Sequence, residues 1–122
     1  MPVLEVTIIA PPPEYDRKEW ASRIAEASGA VFRSSPGSTW VVLYDHPAEG
    51  YAENDAGSGG PYSPVFVRVL KKAVPFGSEL RAEVEALTRA VAQVCGRDPE
   101  QVHVIYEPPA LGRVAFGGRL VD

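Results

Sequence analysis

The residue of this sequence best placed to do chemistry is a proline directly behind the initiator methionine. The chain opens "MPVLEV", and 62 residues after Pro2 a similar run, "PVFVRV", starts at Pro64. Proline is tolerated at the first position of a strand, where its nitrogen owes no ladder hydrogen bond. Removal of Met1 would turn Pro2 into a free secondary amine at the edge of a folded domain, and nothing else in the sequence would make so useful a base. Pro64 follows Ser63 in an ordinary amide and cannot titrate, so only one of the two halves can carry a reaction. An anion could be held by "VRVLKK" at 67–72, whose Lys71 and Lys72 end the run that Pro64 opens. Strand alternation sends two consecutive side chains to opposite faces, so one lysine is expected to point inward. Either would act as a point charge, without arginine's two-pronged fork.

The remaining reactive side chains suggest less. His46 and His103 have no cysteine or carboxylate companions at ligand spacing, so no metal is expected. The "GSGGP" at 57–61 lacks a phosphate loop's lysine and opens no helix; it reads as a linker. Arg68 alternates with Val67 and Val69, which suggests an exposed or interface position, and Tyr106 belongs to core or interface. Cys95, alone of its kind, allows no internal disulfide, fits a reducing, cytoplasmic setting, and reads as a small buried hydrophobe. With 12 basic and 16 acidic residues the net charge is −4, which argues against nucleic acid but not against a small anion in a locally basic cleft. No apolar run reaches membrane-spanning length, and no signal-like segment opens the chain, so no membrane partner is expected.

The elements that must position Pro2 and the lysines come in two matching sets. Residues 3–10, "VLEVTIIA", have the β-branched enrichment of a strand, ended by the prolines at 11–13. Asp16 with Glu19 three residues on is a capping-box-like helix start, followed by the stripe Trp20, Ile24, Ala27, Val31. Gly29 lies inside that stripe and leaves open whether the helix stops there. "TWVVLYD" at 39–45 is a second strand. In the second half 65–70 is a strand, Ser78 a candidate cap, and Leu80, Val84, Leu87, Val91 and Val94 the clearest helical period, stopped by Gly96. "VHVIYE" at 102–107 is a fourth strand. Trp40-Val41 and His103-Val104 are 63 residues apart, close to the offset of the prolines. The chain therefore reads as one domain, 1–122, with repeats 2–52 and 64–118 joined by a Gly-rich connector, 53–63.

The expected fold is α+β: tandem β-α-β units forming a four-stranded mixed sheet with two helices on one face. The other face would stay bare, while Val3, Val6, Ile8, Val41, Leu43, Val67, Val69, Val104 and Tyr106 offer apolar residues for both. Oligomerisation is expected to cover it.

A terminal "MP", a βαβ unit of about sixty residues and the late pair Gly117-Gly118 together resemble the tautomerase superfamily, the 4-oxalocrotonate tautomerase (4-OT) group. The resemblance spans nearly the whole chain, with "VHVIYEPPALGRVAFGGRL" its most family-like stretch. It implies a fused two-unit member, related to the malonate semialdehyde decarboxylase and cis-3-chloroacrylic acid dehalogenase branches, assembled as a homotrimer and free of cofactors. It also implies that Pro2 is the catalytic residue. An α-amine titrates near 7.7–8.0, and burial beside cations lowers that value, so the amine could take a proton from carbon next to a carbonyl and return it elsewhere.

In the resemblance, the cations that end the third strand match Lys71 or Lys72, and an aromatic near the end of the short subunits matches Tyr51. His103 stands at the second-half position of a family arginine, and Arg113 in the late turn could reach a neighbouring subunit's cleft. The first-half positions of the family's arginines hold Pro12 and Trp40, and Phe116 and Gly117 stand where the haloacrylate hydratases keep acidic residues. The implied activity is tautomerase or isomerase chemistry on a small 2-oxo or enol carboxylic acid. One alternative is hydration or decarboxylation of a short unsaturated or 3-oxo acid by protonated Pro2. The other is a non-catalytic oligomeric protein of the same fold.

Overall fold

The structure, a computed structural model, describes residues 2–54 and 62–122. Met1 and most of the Gly-rich connector lie outside those residues. Strand β1, Val3–Ile9, turns Leu4, Val6 and Ile8 into the core and Glu5 to the other side. Helix α1, Arg17–Phe32, begins where the Asp16 carboxylate accepts the Glu19 N–H at 3.1 Å. It does not stop at Gly29. It runs one turn further and closes at Arg33, which takes the left-handed conformation (φ 54°) usually left to glycine. The Arg33 and Ser34 N–H groups then cap the carbonyls of Ala30 and Gly29 at 3.3 and 2.9 Å. Strand β2, Trp40–His46, returns parallel to β1.

The second unit repeats this with strand β3, Val65–Leu70, helix α2, Gly77–Cys95, and strand β4, Val102–Tyr106. Ser78 is not the cap of α2. The chain enters through Gly77 at φ 62°, Phe76 holds the cap position, and no side chain bonds there. Gly96 ends α2 in the left-handed conformation, as its type predicts. The order across the sheet is β2-β1-β3-β4: β1 and β3 are antiparallel at the centre, and each has its parallel partner outside. Val3 pairs with Trp40 and Val65 with Val102, so the repeat runs at the same 62-residue offset as the prolines. The 63-residue match of Trp40 with His103 is out of register by one, which would flip every side chain. A last pair of two-residue strands, β5 at Ala115–Phe116 and β6 at Arg119–Leu120, was not legible in the periodicity. Gly117 and Gly118, at φ 59° and 84°, make its two-residue turn.

Both helices pack on one sheet face around a core of Leu4, Val6, Ile8, Trp20, Ile24, Val65, Val67, Val69, Leu87 and Val91. The registers correct the expectation about faces. Of the nine apolar residues assigned to both, all but Val3 point toward the helices. The open face is instead made of Val3, Thr7, Trp40, Val42, Tyr44, Phe66, Leu70 and Ile105, with Glu5 opposite Arg68 at its centre. Trp40, Val42, Tyr44 and Ile105 are 38–48% exposed there. Among the described residues, no helix is long and apolar enough to cross a membrane.

Candidate active site

Topology brings two separate segments to Pro2. A strand–helix–strand crossover returns the chain to the edge of the sheet where its first strand began, so the turn after α1, "RSSPGS" at 33–38, must pass beside Pro2. Because β3 runs antiparallel to β1, its end at Leu70 lies beside Val3 and delivers the next residues to the same place. Pro2 is buried, and its carbonyl accepts the Trp40 N–H at 3.0 Å, which ties it to the start of β2. The result is a cleft of about 360 Å³ lined by Pro2, Phe32, Arg33, Ser34, Ser35, Ser38, Lys71, Lys72 and Ala73.

Both lysines line this cleft, contrary to the alternation rule, because the strand has already ended at Leu70. Their environments differ. Lys71 is partly buried: its ammonium meets Glu83 Oε1 at 2.7 Å and lies 4.9 Å over the Phe32 ring. The Tyr106 hydroxyl donates to the other oxygen of Glu83. Burial, and then that carboxylate, push the Tyr106 phenol well above its ordinary value, so it stays a donor. Lys72 is exposed, and neither it nor Arg33 has a salt-bridge partner among the described residues. Three cationic residues therefore line the cleft with Pro2, one of them already matched by an acid.

The other candidates lie elsewhere in the chain. Tyr51 donates to Glu53 at 2.6 Å and rests against Phe66, with ring centroids 6.1 Å apart. The Glu53 hydrogen bond pushes its phenol up to about 12. His103 is exposed on β4, and its ring lies tilted against the same Phe66, with centroids 5.4 Å apart. Arg113 donates to the Pro108 and Pro109 carbonyls at 3.2 and 2.9 Å, bracing the last turn. None of these three lines the Pro2 cleft within one chain. Arg33 was missed. Its signal was available: it directly follows the α1 period, in the turn that the crossover must carry back to Pro2. Asp45 pairs with Arg17 at the far end of β2 from Pro2. Among the described residues, no group of three or more His, Cys, Asp or Glu could hold a metal ion.

The corresponding end of the second unit is bridged by an arginine. At the 62-residue offset, Pro64 answers to Pro2, and Ile9 and Ala10 answer to Lys71 and Lys72. There Arg97 donates to the carbonyls of Ile9 at 3.2 Å, Ala10 at 3.3 Å and Ser63. In the first unit the matching carbonyls of Lys71 and Lys72 accept instead from the Ala110 and Leu111 N–H groups, and burial lowers the Arg97 pKa from its ordinary value.

No family model matches the sequence, and no curated protein matches it. Solved structures do. A native fused 4-OT is similar over 97% of this chain and 94% of its own, with 21% identity and a TM-score of 0.73. FG41 malonate semialdehyde decarboxylase, solved inhibited by 3-bromopropiolate, is similar over 94% of this chain and 88% of its own, with 19% identity and a TM-score of 0.71. A further fused 4-OT, a symmetric trimer, covers 98% of this chain and 94% of its own, with 19% identity and a TM-score of 0.70. This chain has the fold of these fused 4-OT and malonate semialdehyde decarboxylase structures.

Proposed function

We propose that this protein is a cofactor-independent tautomerase of the superfamily whose fold it carries, moving a proton within a small 2-oxo or enol carboxylic acid. Pro2, freed by removal of Met1, is the general base. The observation that carries this reading is the convergence of Pro2 with Arg33, Lys71 and Lys72 on one small cleft. Burial and surrounding positive charge both disfavour the protonated amine, so it should be neutral near pH 7 and ready to accept a proton. The reaction is a transfer within the substrate. The imino nitrogen takes the proton from the carbon beside the carbonyl, the electron pair moves onto the carbonyl oxygen as an enolate, and the proton returns at another position. The cations not already matched by an acid, Arg33 and Lys72, stabilise the charge as it develops.

A homotrimer belongs to the same proposal. The apolar open face of the sheet needs a cover, and a fused 4-OT of this fold is a symmetric trimer. Tyr51, His103 and Arg113 would contribute to substrate binding only from a neighbouring subunit.

The likeness to malonate semialdehyde decarboxylase favours a second reading, hydration or decarboxylation with Pro2 protonated. The pH dependence separates the two: activity rises with pH if the amine is a base and falls if it is an acid. The primary test measures phenylpyruvate enolisation and 2-hydroxymuconate ketonisation by the native protein and by Pro2→Ala, with intact mass reporting whether Met1 is removed. Loss of about 10²–10⁴-fold in Pro2→Ala is the expected result. Equal rates, or a protein that keeps Met1, would leave a fold without a catalyst.

A further inference from the structure

The cations of the Pro2 cleft are not equivalent. Lys71 and Glu83 have side chains only 18% and 15% exposed, so their ion pair is largely removed from water. Glu83 is held from its other side by the Tyr106 hydroxyl, which leaves both carboxylate oxygens engaged. A substrate anion recruiting Lys71 would have to break a formed pair and strand a desolvated carboxylate. An anion recruiting Arg33 or Lys72 displaces only water.

We infer that Glu83 is a positioning residue for the Pro2 site: it fixes Lys71 in the wall as a charge-compensated element and leaves Arg33 and Lys72 to take the substrate's anion. The inference rests on reading the Pro2 cleft as the substrate site, and it narrows the substrate class. A planar fork and one point charge suit a small monocarboxylate with an adjacent oxo oxygen. The carboxylate would match the arginine, and the charge that builds on the oxo oxygen during enolisation would fall to the lysine.

The electrostatic consequence can be read directly. Arg33 lines the Pro2 cleft from the turn after α1, and Lys71 and Lys72 from the turn after β3. Behind Lys71 stand Glu83 and Glu79 from α2. Removing the charge of Glu83 leaves Lys71 uncompensated, so the amine should lose its proton at lower pH. The measurement is a nitrogen-15 NMR titration of Pro2 in the Met1-processed protein, with native fold checked by circular dichroism. Glu83→Gln is expected to lower the midpoint by about half a unit or more, while the charge-conserving Glu83→Asp stays closer to wild type. An unmoved Glu83→Gln midpoint, or the same movement in both variants, would overturn the inference.

Kinetics provide the second arm. Arg33→Ala should raise KM about tenfold or more, and the paired Lys71→Met/Glu83→Gln variant less than about threefold. The reverse ranking would overturn the inference. A fully active Pro2→Ala protein would instead remove the functional reading beneath it. An inactive Pro2→Ala protein with an unmoved Glu83→Gln midpoint would remove this inference alone.

Discussion

Arg97 offers a test of the tandem architecture that is independent of catalysis. Its guanidinium donates to three backbone carbonyls, those of Ile9, Ala10 and Ser63, and so fastens the end of β1 to the start of β3. Replacing it with Met keeps much of the stem's packing but removes all three bonds. Bonds from a charged donor contribute about 1.5–3 kcal/mol each when buried; with Arg97 only partly buried, about 1 kcal/mol each is the appropriate scale, or about 3 kcal/mol in all. Unfolding entropy of about 2.1 cal/mol/K per residue makes 1 kcal/mol worth about 4 °C for a chain of 122 residues. Arg97→Met should therefore lower Tm by about 12 °C, measured at matched protomer concentration because assembly also shifts Tm. Arg97→Lys, which can reach fewer carbonyls, should fall in between. Ketonisation well below Tm should stay near wild type, since Arg97 does not line the Pro2 cleft. A drop of less than about 3 °C would mean that water replaces the guanidinium, and lost activity at unchanged Tm would mean that Arg97 serves the site.

Two further outcomes follow from the same structure. Burial raises the Cys95 thiol to about 11 from 9.0, so the folded state holds its proton where the unfolded state has lost it. The stability from this source is whole below pH 9 and lost as pH rises toward 11; relative to Cys95→Ala, denaturation under reducing conditions should show a loss of about 2 kcal/mol between pH 8 and pH 10.5. An identical pH dependence in both proteins would contradict it. On the open face, Val42→Glu places a second carboxylate opposite Glu5 at a position 45% exposed in the single chain. Light scattering should show a folded, dissociated protein, since a surface change alone costs within about 0.5 kcal/mol; a trimer that persists would place the interface elsewhere.

Much of the architecture was legible because the periods are strong. The α2 stripe from Leu80 to Val94, the stop at Gly96 and the paired prolines locate two repeated units without any contact information. Boundaries were less legible where a residue acts against its type. Gly29 stays inside α1, while Arg33 takes the left-handed cap, because the helix end is fixed by carbonyl capping and not by the most permissive residue nearby. The composition of the two faces was misread because apolar content does not fix the pleat; only the pairing of Leu4 with Val41 and Val69 does.

For the site, the sequence could bring Pro2 together with Lys71 and Lys72 but not rank the lysines. That ranking depends on Glu83, twelve residues further along the chain, and on Tyr106 in another strand. Arg33 carries no strand-end signal, because it is the crossover that brings the turn after the helix to the same edge as Pro2. Tyr51, His103 and Arg113 have local partners in one chain, so any role in the cleft depends on contacts between subunits.

The central claim is that a free, depressed imino nitrogen faces a positive cleft. Its most direct test is the nitrogen-15 titration of Pro2 in the wild-type protein. A midpoint clearly below the ordinary α-amine range of about 7.7–8.0 is predicted. A resonance that does not titrate, or one with its midpoint at or above that range, would contradict the account.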